Sequence, residues 1–66
     1  MEVIQVGDVV TPISLDDQEA LFDMGAVTGI LRVVDVQGNI LLGRYFNESG
    51  TYNYVNADVD KVFLVA

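Results

Sequence analysis

MGAVTGILRVVDVQGNILLGRYF, residues 24–46, decides how this chain folds. From Ala26 onward its apolar residues recur with a period of two, which marks a strand rather than a helix. One face carries Ala26, Thr28, Ile30, Arg32, Val34 and Val36; the other carries Val27, Gly29, Leu31, Val33 and Asp35. Neither face is cleanly polar, so the strand reads as covered in part on both sides. Gln37-Gly38-Asn39 supplies residues that tolerate φ > 0 in a tight turn. Ile40 to Asn47 then returns as a second strand, with Ile40, Leu42, Arg44 and Phe46 opposed to Leu41, Gly43 and Tyr45. This hairpin holds more apolar surface than two strands can bury between them. Gly29 and Gly43 inside the strands predict bends or close backbone approaches, as in a sheet that curls.

The flanking segments extend the same pattern. VIQVGDVVT, residues 3–11, is β-branched, is interrupted by a bend or bulge at Gly7-Asp8, and gives a strand from Val9 to Thr11 that stops at Pro12. SLDDQEALFDMG, residues 14–25, reads as two or three helical turns or as an ordered loop. Ser14 and Asp17 fit a capping box, and Asp16, Asp17 and Glu19 crowd the first turn, where the helix dipole favours negative charge. Leu21 and Met24 share a face with Ala20, and Gly25 falls at the C-cap. After a turn at Asn47-Glu48-Ser49-Gly50, Thr51 to Val55 forms a strand with Tyr52 and Tyr54 on one side. Asn56 to Lys61 is expected as one helical or 3-10 turn, and Val62 to Val65 as a fifth strand. Five short strands, glycine kinks and one long connection predict a mainly β fold. Its architecture is a small five-stranded antiparallel barrel, with a short helix or ordered loop between strands 1 and 2.

Residues 1–66 form one domain, with no linker, repeat or low-complexity stretch. A chain of this size buries only about 60% of its unfolded surface. Disulfides or zinc would normally reinforce it, but it has no Cys and no His, which leaves no cofactor or metal expected. Core density or self-association must supply the stability. Apolar residues make up 52% of the chain and the mean hydropathy is +0.40, an excess that a homo-oligomer or a permanent partner would explain. Ten acids against Arg32, Arg44 and Lys61 give a net charge of −7. Such a surface repels nucleic-acid phosphates and anionic lipid and suits a basic protein partner or simple solubility. No basic-then-apolar leader opens the chain and no apolar run is long enough to span a bilayer, so a cytoplasmic product is expected. Its size and its start at Met1 suggest a whole small gene product of the kind phages encode.

The order of these pieces resembles a known group. A strand Val6-Gly-Asp-Val-Val10 precedes a long loop, then Met24-Gly-Ala-Val-Thr-Gly-Ile-Leu-Arg-Val-Val34, the hairpin return, and Tyr54-Val-Asn-Ala-Asp-Val-Asp-Lys-Val-Phe-Leu-Val65. The chain resembles the SH3-like barrels. That group includes KOW-type domains, the variable chain of ferredoxin–thioredoxin reductase and the ferredoxin-docking subunit of photosystem I. The resemblance implies a small barrel and a habit of docking on other proteins. It carries no catalytic signature. Where RNA-binding KOW-type domains have basic loops, this chain has Asp16, Asp17, Glu19 and Asp23. There is no Trp and no Ala-Leu-Tyr-Asp-Tyr segment for a proline-rich ligand.

The residues offer little chemistry. Without His or Cys the common bases and nucleophiles are missing, and the pairs Asp16/Asp17 and Asp58/Asp60 read as solvated charge. Asp58-Val59-Asp60 looks like part of a calcium loop, but the chain ends before a later Glu ligand. Asn47-Glu48-Ser49 has the form of a glycosylation acceptor. Gly25, Gly29, Gly38 and Gly43 precede no helix that could seat a phosphate.

Two clusters remain as partner-binding candidates. Tyr45 and Phe46 flank the same turn as Tyr52 and Tyr54, with Arg44 as a rim cation; they serve either cross-strand packing or an interface. The acidic loop offers Asp16, Asp17, Glu19 and Phe22. Leu21 and Phe22 point about 100° apart on a helix, so either Phe22 is exposed within an acidic docking patch or the helix caps the open barrel end with Ala20, Leu21 and Met24, and the two are expected to coexist. The candidates are thus Asp16, Asp17, Glu19, Phe22, Arg44, Tyr45, Tyr52 and Tyr54. The function expected is a small acidic protein-interaction or accessory module without catalysis. The alternatives are an acidic decoy that occupies the nucleic-acid-binding surface of a basic protein, in the manner of phage inhibitors, and a small enzyme or carrier that uses carboxylates.

Overall fold

A computed structural model describes residues 3–22, 25–26 and 28–65. Five antiparallel strands form one sheet: β1 (Val9–Pro12), β2 (Leu31–Gln37), β3 (Ile40–Phe46), β4 (Tyr52–Asp58) and β5 (Val62–Leu64), in the order β4-β3-β2-β1-β5. Among the described residues one α-helix, α1 (Leu15–Leu21), joins β1 to β2, and a 3-10 turn over Val59–Lys61 leads into β5; the expected turn from Asn56 is corrected, since β4 stays paired with β3 through Asp58. Among the described residues no helix is long and apolar enough to cross a membrane. β4 and β5 are the two edges of the sheet, so hydrogen bonding does not close it.

The hairpin is built as its turn residues dictate. Gln37 pairs with Ile40 across Gly38 and Asn39, and Gly38 alone takes positive φ, at 61°. Positive φ at the first of two central residues is the type II′ arrangement, whose twist matches that of the strands. Gly43 fills the other role foreseen for it: a Cβ there would lie 3.1 Å from Leu31 Cδ2. Gly29 does not sit in a strand. It has φ of 72° in the connection before β2, which starts at Leu31 instead of Ala26. Ala26 keeps one isolated bridge, to Asn47.

The inner side of the sheet forms one interior. Val10, Leu31, Val33, Leu41, Tyr45, Ala57 and Val62 come from all five strands, and Phe22 completes the cluster from the end of α1. A one-residue irregularity keeps β2 in phase with it. Val33 pairs with Gly43 and Asp35 with Leu42, which leaves Val34 as the extra residue of a bulge. Leu31 and Val33 point inward before the bulge, and Val36, opposite buried Leu41, packs against the core after it. The two-faced apolar character of residues 31–36 comes from this phase change. The expected cover on both sides of the strand is corrected: the outer side is open to solvent, with Arg32 and Val34 exposed.

α1 begins as the capping residues predict. The Asp17 amide donates to Ser14 Oγ at 3.2 Å, and the Ser14 hydroxyl donates to Asp17 Oδ2 at 3.0 Å. The helix ends with Phe22 as its C-cap, earlier than the expected stop at Gly25. Gly25 has φ of 79° and donates its amide to the Phe22 carbonyl at 2.9 Å. The roles foreseen for Asp23, Met24 and Val27 lie outside the described residues.

Candidate functional site: the outer face of the sheet

Antiparallel register places directly opposed residues on the same side of a sheet. Tyr54 opposes Arg44, Arg44 opposes Arg32, and Arg32 opposes Val9, so one row crosses four strands on the solvent side. The next row on that side pairs Phe46 with Tyr52. These two rings meet edge to face, with centroids 5.2 Å apart and planes at 67°. The Arg44 guanidinium carbon lies 4.6 Å from the Tyr52 ring centroid, a cation–π arrangement. The Arg32 guanidinium donates to the Gly7 carbonyl at 3.0 Å. Phe46, Tyr52 and Tyr54 stay 42%, 53% and 56% exposed, although the interior is complete without them.

The charge distribution makes this face distinct. Of the three cations, Arg32 and Arg44 stand here side by side, while Lys61 pairs with Asp58 at 3.9 Å elsewhere. That is the one ion pair among the described residues. Like charges in directly opposed positions destabilise a sheet. A hollow of about 180 Å³ opens next to the pair, walled by Val9, Thr28, Ile30, Phe46 and Tyr52.

The structure separates the residues singled out from the sequence. Arg44, Tyr52 and Tyr54 come together on the outer face. Tyr45 does not join them: it opposes Asn53, points inward and is buried. Phe22 is also buried, which corrects the expectation of an exposed ring in an acidic patch. Its ring meets Tyr45 edge to face at 4.8 Å and 80°, and this contact draws the end of α1 onto the sheet. Asp16 and Glu19 stay on the exposed side of α1, and Asp17 is half-buried at the N-cap. Glu19 borders a hollow of about 520 Å³ between α1 and Ala26, Thr28 and Gly29. Among the described residues, no three or more carboxylates gather where they could hold a metal ion.

Sequence reasoning undervalued Arg32, which only the register brings beside Arg44, and Phe46, whose place opposite Tyr52 follows from the parity it shares with Arg44. It placed Asn47 in the β3–β4 turn but not at its centre. This residue is 2% exposed and is the hub of the β3–β4 turn. Its Oδ1 accepts from the Ser49 and Thr51 amides at 2.9 and 3.1 Å, and its Nδ2 donates to Thr51 Oγ1 and Asn53 Oδ1 at 2.8 and 2.6 Å. Asn53 in turn donates to the Tyr45 hydroxyl at 3.2 Å. In the folded chain the Asn47 amide nitrogen is thus committed to the turn and is not presented as an acceptor for glycosylation.

Comparison with known protein families, curated proteins and solved structures finds no match to this chain.

Proposed function

We propose that this chain is a small protein-interaction module without catalysis of its own, built as an SH3-like barrel, that docks partners on the outer face of β2, β3 and β4. The exposed set Phe46, Tyr52 and Tyr54 carries the reading. These three aromatic rings of β3 and β4 stand in solvent on a sheet whose core is filled by other residues. Tyrosine and arginine combine large contact area with hydrogen-bonding tips, and they dominate the binding energy of protein interfaces. The barrel reading is supported by an interior to which all five strands contribute, with α1 lying against both β1 and β4.

The test is a pull-down with the full chain beside the double variant Tyr52→Ser/Tyr54→Ser, each first checked for the native circular dichroism spectrum. A partner held by the parent chain and lost by the folded variant supports docking on this face. Retention of every bound protein by the variant overturns it. The acidic-decoy reading predicts that retention, since its contacts would lie on Asp16 and Glu19 of α1.

A further inference from the structure

We infer that the outer face recognises an acidic segment of a protein partner, a carboxylate of which bridges Arg32 and Arg44. This deepens the docking reading and rests on it. Arg32 and Arg44 are directly opposed in register on β2 and β3 and border the same hollow, in a chain with a net charge of −7, and none of the described acids forms an ion pair with either of them. Each is held by a contact that leaves its charge uncancelled: Arg44 by the Tyr52 ring and Arg32 by the Gly7 carbonyl. Planar guanidinium forks match a carboxylate in geometry, and a bound anion would turn the mutual repulsion into shared attraction.

Size and charge select the occupant. The hollow beside the pair, about 180 Å³, is smaller than the roughly 300–1,000 Å³ of sites for whole small molecules, and it suits a side chain. Nucleic acid needs a track of cations, and this face has two within a strongly acidic molecule. One carboxylate flanked by apolar residues asks only for the local pair and the walls of Val9, Ile30, Phe46 and Tyr52.

The experiment follows fluorescence anisotropy of a short labelled peptide of alternating glutamate and leucine. The same peptide with glutamine for glutamate, and a labelled oligothymidylate, serve as comparisons. The expected result is about tenfold tighter binding of the glutamate peptide than of its glutamine counterpart. That preference should fade as salt rises, vanish in Arg32→Gln and in Arg44→Gln, and survive in Arg44→Lys at reduced strength. Equal binding of the two peptides, no binding, a preference that persists in both glutamine variants, or tighter binding of oligothymidylate overturns the inference. If both peptides bind equally and both are lost in Tyr52→Ser/Tyr54→Ser, the carboxylate bridge fails while docking on this face stands. Indifference of all binding to those tyrosines fails both.

Discussion

Arg32 of β2 and Arg44 of β3 oppose each other directly on the solvent side of the sheet, like charge against like charge. Nothing in the packing of the core requires this, because both side chains point away from it. The chain keeps two of its three cations directly opposed, and no described acid forms an ion pair with either of them. The first prediction is therefore energetic. A double-mutant cycle with Arg32→Gln and Arg44→Gln should give an unfavourable coupling of about 0.2–1 kcal/mol, shrinking with added salt. Urea titrations at low and high ionic strength measure it. A favourable coupling would mean the guanidiniums are not in each other's field.

Phe22 closes the interior at the end of α1, so Phe22→Ala removes a buried aromatic ring and its edge-to-face contact with Tyr45. Such truncations cost about 3–5 kcal/mol. A chain of this length is expected to have roughly 3–10 kcal/mol of total stability. The variant should be largely unfolded or lose most of its urea midpoint by circular dichroism, whereas Phe22→Leu should remain folded. A near-native midpoint for Phe22→Ala would place the ring outside the core.

Gly43→Ala should destabilise even though alanine suits a strand better than glycine. Its Cβ would lie 3.1 Å from Leu31 Cδ2 and 3.3 Å from Leu31 Cβ. Overpacking costs about 1–3 kcal/mol, against a gain of roughly 0.5–1 kcal/mol from removing glycine. Chemical denaturation should show the net loss, and the companion Gly43→Ala/Leu31→Val should recover part of it by giving the new methyl room.

Asn47→Ala leaves the amides of Ser49 and Thr51 without their shared acceptor and removes the donor to Asn53. The expected loss is about 1–3 kcal/mol. Hydrogen exchange should accelerate first at Ser49 and Thr51, whose protection depends on the Asn47 side chain, and later along β3. Uniform acceleration across the sheet would show that the turn is not a local unit.

Much of this was legible in the residues. The parity of β3 assigned Leu41, Gly43 and Tyr45 to one side and Arg44 and Phe46 to the other, and burial follows that division. Tyr52 and Tyr54 shared a side of β4 for the same reason. The partner-binding set, in contrast, mixed two environments. Tyr45 was grouped with its neighbours in sequence, although adjacent strand residues point to opposite faces. For Phe22 the sequence leaves exposure and capping open, because a helix continuing through it would set the ring about 100° from Leu21; the helix ends there, and the ring is buried.

Local patterning by itself thus determined the order of the five strands, the hairpin turn and the helix start at Ser14, because each depends on backbone preferences and side-chain alternation within a few residues; it did not set where β2 begins or β4 ends. Only tertiary structure decided where residues far apart in sequence meet. The bulge at Val34 lets β2 keep Leu31, Val33 and Val36 on one interior, and cross-strand register brings Arg32 beside Arg44. It also decided that the surplus apolar residues of the hairpin lie on an open face and not in a second interior. Long-range packing sets these outcomes, since hydrophobic burial is non-directional and each strand's inner side is fixed only when the five strands share a common core.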